Sequence, residues 1–531
     1  MREGRIAEAF GAEDSLRTES LESARHCAAL SKPHILPPEG WDEGESLPQT
    51  FSALASRGIT NLEGRLLLAL FPVGQAFFKL KPAAKFKYDP DINSELLQEF
   101  ENKLAIHEMV MLAKIEQDDH GGSNARRAGF RSRMRTAISQ LLVTGDVLIQ
   151  MTDAYQIRVH RRDNYVQRRD TGGDVLYMIT REQIDPLSMA PEMLEISHPD
   201  PEALHEMSVY DRMTELYTRI DWNPVTKTWV ITQECNGQQI VESEEKVTPY
   251  FTIPYSLPPG GQYGRGIIED NLGDVRSMNE LTERLLDFAA ISSKHLFALD
   301  YSSQVRPQDL TLPTGSVIQA KVQGGQVSDV GILRTDRAGD FNVVQTVRES
   351  LRRDLSAAML MEAEQLPTYE RASRLHVERV AMELEGALGG VYAPIADALQ
   401  IPLVERLMHL LERDGTLPPL PDDTVEVEAV TGISALSREG DQQKLMQLLQ
   451  SLSQMGPDML GRIDRGLLLE IMVRHSGVYE PGLVKSDEQV QEEQAAAAQQ
   501  QQQQMLAEQL TAAGGQMVQQ AASQSMEAMN G

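Results

Sequence analysis

Few residues of this 531-residue sequence are spaced for chemistry, and each candidate meets an objection. Asp170-Thr171-Gly172 has the form of an aspartic-protease loop. That chemistry needs two carboxylates sharing one proton, and no second Asp-Thr-Gly or Asp-Ser-Gly occurs, so the triplet reads as a hairpin turn. Gly260, Gly261, Gly264 and Gly266 crowd one segment, yet they match neither the dinucleotide spacing nor a Gly-x-x-x-x-Gly-Lys-Ser/Thr phosphate loop. Cys27 and Cys235 lie far apart with no metal-ligand spacing, which leaves them as structural thiols of a reducing compartment. The 11 histidines form no cluster, and neither His-Glu-x-x-His nor Gly-x-Ser-x-Gly is present. No catalytic residue, metal ligand or cofactor is therefore expected, although an enzyme with an unfamiliar site remains the alternative.

What remains is charge. Lys plus Arg number 50 against 78 Asp plus Glu, a formal charge of -28, which argues against tight grip on nucleic acid through neutralised phosphates. Against that background Arg126, Arg127, Arg131, Arg133 and Arg135 cluster, followed by Arg158, Arg161, Arg162, Arg168 and Arg169. Ion pairing with acidic faces of the same chain or a neighbouring copy is the simpler reading, and DNA contact the other. No signal peptide is visible. The most apolar run, Leu66 to Phe78, is broken by Pro72, Gly74 and Gln75 and is too short to span a membrane.

The elements that must carry these residues follow from periodicity. The apolar residues Ile268, Leu272, Val275, Met278, Leu281, Leu285 and Phe288 recur in steps of three and four. They predict one helix from Arg265 to Ser292, a rod of roughly 40 Å at about 1.5 Å per residue. A second stripe begins near Asp340 with Phe341, Val344, Val347, Leu351, Leu355 and Met359. Short strands are expected between them over 295–300, 316–322 and 327–335. Upstream, a helical arm is expected over 15–30, then helices from Leu54 to Pro72, Ser94 to Ile115, and Asn124 to Val143 with Gly145 as the stop. The pattern turns to strands over 147–184 and 210–240, with hairpin turns at 170–173 and 223–228. A helical region from Ser373 to Arg413 should be interrupted and kinked by Gly389-Gly390, Pro394 and Pro402. Two further helices are expected over 441–455 and 459–475. Beyond Lys485 no basic residue occurs, and Ala and Gln dominate, so that tail is expected to be disordered or marginally helical.

Four strings, in order, resemble the portal, or head-to-tail connector, proteins of short-tailed phages. They are Asn61-Leu-Glu-Gly-Arg-Leu-Leu-Leu-Ala-Leu-Phe-Pro72, Tyr165-Val-Gln-Arg-Arg-Asp170, Tyr263-Gly-Arg-Gly-Ile-Ile-Glu-Asp-Asn-Leu-Gly-Asp-Val-Arg-Ser277, and Glu383-Leu-Glu-Gly-Ala-Leu-Gly-Gly-Val-Tyr392. The resemblance spans about Pro48 to Gly482 and implies an α+β chain of portal fold, assembled as a ring of twelve around a DNA channel. It implies an N-terminal arm (1–47), a first part of the wing (48–262), a stem helix (263–293) and an α/β or β clip (294–339). A second stem helix (340–361), a tunnel loop (362–372), a kinked wing helix (373–421), a helical crown (422–482) and the tail (483–531) complete it. Leu272, Val275, Leu281 and Leu285 would pack the stem; Gln365, Tyr369, Arg371 and Arg374 would face the channel. Implied partners are further copies of the chain, double-stranded DNA, terminase, a tail adaptor, capsid and scaffolding proteins and internal core proteins, with no membrane. The implied location is the portal vertex of the virion, after assembly in host cytoplasm. The alternative is a phage-derived soluble nuclease or hydrolase with an unrecognised active site.

Overall fold

Helix α3 (Leu54–Leu70) sits at the centre: its first half keeps Arg57 and Thr60 in solvent, but every residue from Leu62 to Leu70 is buried. Ile59, Leu62, Leu66, Leu67 and Leu70 are all buried, and the helix stops before Pro72, whose ring cannot continue it. The computed structural model describes residues 5–429, apart from 43, 73–75, 88–93, 120–128, 199, 201, 293–295, 362–378, 422, most of 300–318, and short gaps within 324–337 and 381–389. These residues belong to one compact unit spanning 1–433.

Two helices precede α3: α1 (Ile6–Leu16) and α2 (Thr18–Leu30). One arm over 15–30 was expected, and the break at Arg17 explains the difference. Its buried guanidinium donates to the carbonyls of Arg162, Asp163 and Tyr165, a demand that no straight helix would meet. After β1 (Phe78–Pro82) and the turn-length α4 (Ala84–Lys87) come α5 (Ser94–Asp119), which packs against β1 and α6, and α6 (Phe130–Thr144), which packs against α3. Gly145 closes α6 in the left-handed conformation, φ 80°, with its N–H on Leu141 O, as the glycine stop predicted.

Two antiparallel sheets follow. The smaller has order β3-β2-β9, from β2 (Asp146–Met151), β3 (Ile157–His160) and β9 (Tyr250–Pro254). The larger is a meander of β4 (Tyr165–Arg169), β5 (Val175–Ile184), β6 (Thr214–Asn223), β7 (Thr228–Cys235) and β8 (Gln238–Glu245). Short helices α7 (Pro191–Ser197), α8 (Ala203–Glu206) and α9 (Val209–Arg212) fill the excursion between β5 and β6. One face of the meander, carrying Tyr165, Met178, Ile220 and Ile231, packs on Leu148 and Tyr250 of the smaller sheet. The other face, with Val166 and Ile179, is covered by Ile6 and Phe10 of α1. Asp170-Thr171-Gly172 is a turn: the Asp170 carboxylate accepts from the Asp174 N–H at 2.9 Å.

The long helical pattern is split. A turn, α10 (Ile267–Asp270), bends at Asn271 before α11 (Leu272–Ser292). After it come β10 (Leu296–Leu299), β11 (Val322–Gln323), β12 (Gln326–Val327) and β13 (Val330–Leu333), with β10 paired to β13 and β11 to β12. Helix α12 (Ala338–Ala358) then returns against α11. The last helix among the described residues, α13 (Tyr392–Arg413), includes both prolines expected to interrupt it. Pro394 lies in the first turn, where an N–H has no helical partner to lose, and Pro402 lies within the helix without ending it. The chain ends its described course in β14 (Val425–Ala429), which pairs with β1 and sets Glu426 and Glu428 against Lys81 and Lys79. The expected helices over 441–455 and 459–475 and the Gln-rich tail lie outside the described residues.

Where the sheets meet, His160 is buried with its ring 5.9 Å from that of Tyr250. Burial, with Arg158 alongside, outweighs the Glu182 carboxylate at 3.3 Å and pulls the imidazole down to about 4. The folded value lies below the ordinary 6.5, so below that pH the unfolded chain takes up a proton that the folded chain refuses. Stability is complete above pH 6.5 and falls as pH drops toward 4. Between pH 7 and 4.5 the parent should lose about 2 to 3 kcal/mol more than His160→Gln, measured by urea unfolding. Equal losses would show that His160 does not titrate in this way.

Candidate functional site

The sequence Gly264-Arg265-Gly266 enters α10 by pressing its backbone against the end of α6. A Cβ on Gly145 would lie 2.3 Å from Gly264 O, and one on Gly264 would lie 2.3 Å from Gly145 O. A Cβ on Gly266 would lie 2.7 Å from Leu142 O and 3.0 Å from Val143 O. Only glycine permits this approach, because the nearest atom that each Cβ would strike is a backbone carbonyl oxygen, which cannot swing aside as a flexible side chain could. The neighbour of Gly145, Asp146, is fully buried and ties the contact to the large sheet. One carboxylate oxygen accepts from Tyr165 Oη at 2.9 Å; the other accepts from Gln167 Nε2 and the Gly264 N–H, both at 3.2 Å. Arg162 lies over the Tyr263 ring at 3.6 Å, and Arg169 donates to Gly173 O and Thr252 Oγ1. Burial pushes the Asp146 carboxyl up from its usual range, while Arg162, Arg169 and the bond from Gly264 pull it down. Such a carboxylate is an anchor rather than a reagent, since no part of it meets solvent.

From this root two helices project. Val275 and Met278 of α11 are buried, and Asn279 Oδ1 accepts from the N–H groups of Phe51 and Ser52 at 2.8 and 3.2 Å. At the root of α12, Leu355 and Met359 are buried, and Asn61 Nδ2 donates to Met359 O and Leu360 O at 3.0 and 2.9 Å. One segment, residues 51–61, therefore holds the bases of both helices. Toward the β10–β13 end Phe288 and Phe341 meet with ring centroids 5.6 Å apart. Beyond the root the packing thins: Leu281 and Leu285 are half-buried, and Leu286 and Val343 are 55% and 64% exposed.

Of the residues expected to pack this pair, Val275 and Leu272 join the core at the root, whereas Leu281 and Leu285 lie along the projecting part. Gln365, Tyr369, Arg371 and Arg374 lie outside the described residues. Arg126 and Arg127 lie outside the described residues, and most of the other arginines of the cluster are engaged within the chain. Arg131 donates to Phe71 O and Pro72 O, and Arg133 to Ile157 O. Arg135 pairs with Glu63 at 3.3 Å, Arg161 with Asp163 at 2.7 Å and Arg168 with Glu13 at 3.7 Å. Sequence reasoning missed Asp146, Asn61 and Asn279. The signal for Asp146 was its place directly after a helix-stopping glycine, and the two asparagines carried none. Among the described residues no group of His, Cys, Asp or Glu could hold a metal, and no helix is long and apolar enough to cross a membrane.

The profile of the bacteriophage head to tail connecting proteins matches residues 3–483. The portal protein of Escherichia phage T7 is 28% identical over 88% of this chain and 86% of its own length. The portal protein of Enterobacteria phage T3 is likewise 28% identical over 88% of this chain. That of Enterobacteria phage SP6 is 25% identical over 90% of this chain and 89% of its own length.

The close approach at the root generates a paired prediction. Gly266→Ala must displace the backbone of α6 and should lower stability by about 3 kcal/mol. Gly273→Ala, in α11 with nothing within 4 Å of its Cβ, should be neutral or stabilise by up to about 1 kcal/mol. Thermal unfolding of the two variants checks this, and equal midpoints would contradict it.

Proposed function

The chain belongs to the bacteriophage head-to-tail connecting proteins, and from that premise we propose that it forms a ring, of twelve copies, through which DNA enters and leaves the phage head. The observation that carries this reading is the match over residues 3–483, within which one helix pair leaves a buried root with apolar residues still exposed. In this reading α10, α11 and α12 are the stem, and β10 to β13 belong to the clip that meets terminase and later the tail adaptor. Residues 48–262 and 373–421 form the wing, the arm 1–47 braces it, and 362–372 is the tunnel loop facing DNA. Residues 422–482 would be the crown and 483–531 a dispensable tail. Capsid, scaffolding and internal core proteins are further partners, and assembly would take place in host cytoplasm before the ring joins the virion.

Charge suits a conduit. Twelve copies carry on the order of -300 charges, and with a Debye length of about 8 Å a sliding duplex senses chiefly the groups lining the bore. Acidic walls repel phosphate, so DNA does not stick, and basic side chains such as Arg371 and Arg374 would keep it centred.

Electron microscopy of the purified chain tests the reading: a ring with a central hole supports it, and uniform monomers at high concentration would contradict it. Within that test, Leu281→Asp sets a carboxylate among half-buried apolar residues and should give monomers or aggregates by native mass spectrometry. Replacing Arg371 and Arg374 together by Ala should leave rings intact but change DNA passage or retention in packaging assays. Unchanged packaging and retention would remove the electrostatic role given to residues 362–372.

A further inference from the structure

The core face of the large sheet does not end where its cover ends. Side chains alternate along a strand, so the face that carries Met178, Ile220 and Ile231 continues two residues on through Leu176, Trp222 and Trp229. Trp222 and Trp229 are paired across β6 and β7 with ring centroids 5.2 Å apart. Leu176 is 44% exposed, Trp222 37%, and Val225, in the turn beyond them, 88%. Two of the three tryptophans in the chain are thus placed on a rigid hairpin at the edge of the core. Aromatic anchors of this kind are over-represented where binding energy concentrates.

The opposite end of the same sheet is different in character. Arg158 lies 4.0 Å from Glu182 of β5, six residues along the strand from Leu176, or roughly 20 Å. The Arg158 and Arg161 side chains are 57% and 44% exposed there, and Arg161 also pairs with Asp163 at 2.7 Å. The tryptophan end is flanked instead by the exposed carboxylates of Asp174 and Glu244, with Lys227 the base of the turn. Rings with one kind of contact need two unlike, complementary surfaces on each copy. We propose that the strip of Leu176, Trp222 and Val225 seats, head to tail, on the Arg158 and Arg161 end of a second copy of this chain, its neighbour in the ring. This rests on the ring reading and assigns a contact to it. Apolar area supplies the attraction, and Asp174 and Glu244 against Arg158 and Arg161 set the direction.

Tryptophan fluorescence reads the contact directly. In a Trp41→Phe chain, emission comes from Trp222 and Trp229 alone. Rings should show blue-shifted emission and an acrylamide quenching constant severalfold lower than that of free chains. Asp174→Arg with Glu244→Arg should prevent ring formation, and adding Arg158→Glu with Arg161→Glu to the same chain should restore it. Rings whose tryptophans remain as quenchable as those of free chains would overturn the proposal while leaving the ring reading standing. Protection that arises only when another phage protein is added would overturn it in favour of that occupant. Protection in rings without rescue by the double reversal would overturn the seat at Arg158 and Arg161. Failure of the parent chain to form rings at all would strike the ring reading itself, a different result from any of these.

Discussion

Everything outside the root of the helix pair depends on two backbones touching where glycine alone allows it. Gly145, Gly264 and Gly266 bring the end of α6 against the start of α10, and the buried Asp146 carboxylate fastens that contact to β4 through Tyr165 and Gln167. A buried carboxylate is costly unless every lone pair is used and positive charge is close. Here three donors use most of the lone pairs, and two guanidiniums supply the positive charge. The result is directional: the helix pair leaves the sheets along one line, because sliding it would strand a charge inside the protein.

Arginine does related work throughout an acidic chain. Arg17 collects three carbonyls at the corner between α1 and α2, and Arg406 joins α13 to Asp153, Glu245 and the Val247 carbonyl. A planar guanidinium presents five donors, so one side chain can satisfy several loop carbonyls that no regular ladder reaches. This explains how a protein of net charge -28 can concentrate arginine. Among the described residues, Arg17, Arg131, Arg133 and Arg406 all spend their charge on holding segments together.

Much of the fold was legible because it rests on local periodicity. The stripe of α3, the glycine stop of α6, the hairpin turns at 170–173 and 223–228 and the paired long helices all follow from spacing and turn chemistry. What escaped the sequence depends on partners distant along the chain. Arg17 bends the arm toward carbonyls some 145 residues away, and Asn279 holds amides 228 and 227 residues away. Pro394 and Pro402 mislead for the opposite reason, since tertiary packing of Leu399, Leu403 and Leu407 keeps α13 whole around them. The buried role of Asp146 was hidden because an aspartate after a glycine stop is, to local rules, one more turn residue.

Buried and hydrogen-bonded, the Asp146 root should be the most stable part of the molecule, and the projecting half of the helix pair, with its half-buried and exposed apolar residues, should be less stable. Hydrogen exchange of the free chain resolved to single amides tests that ordering. The Gly264 and Val147 amides should exchange only through global unfolding, and the amides of Leu285 to Phe288 should exchange faster by orders of magnitude. Equal rates in the two places, or faster exchange at Gly264, would contradict the claim that this buried contact fixes the helix pair.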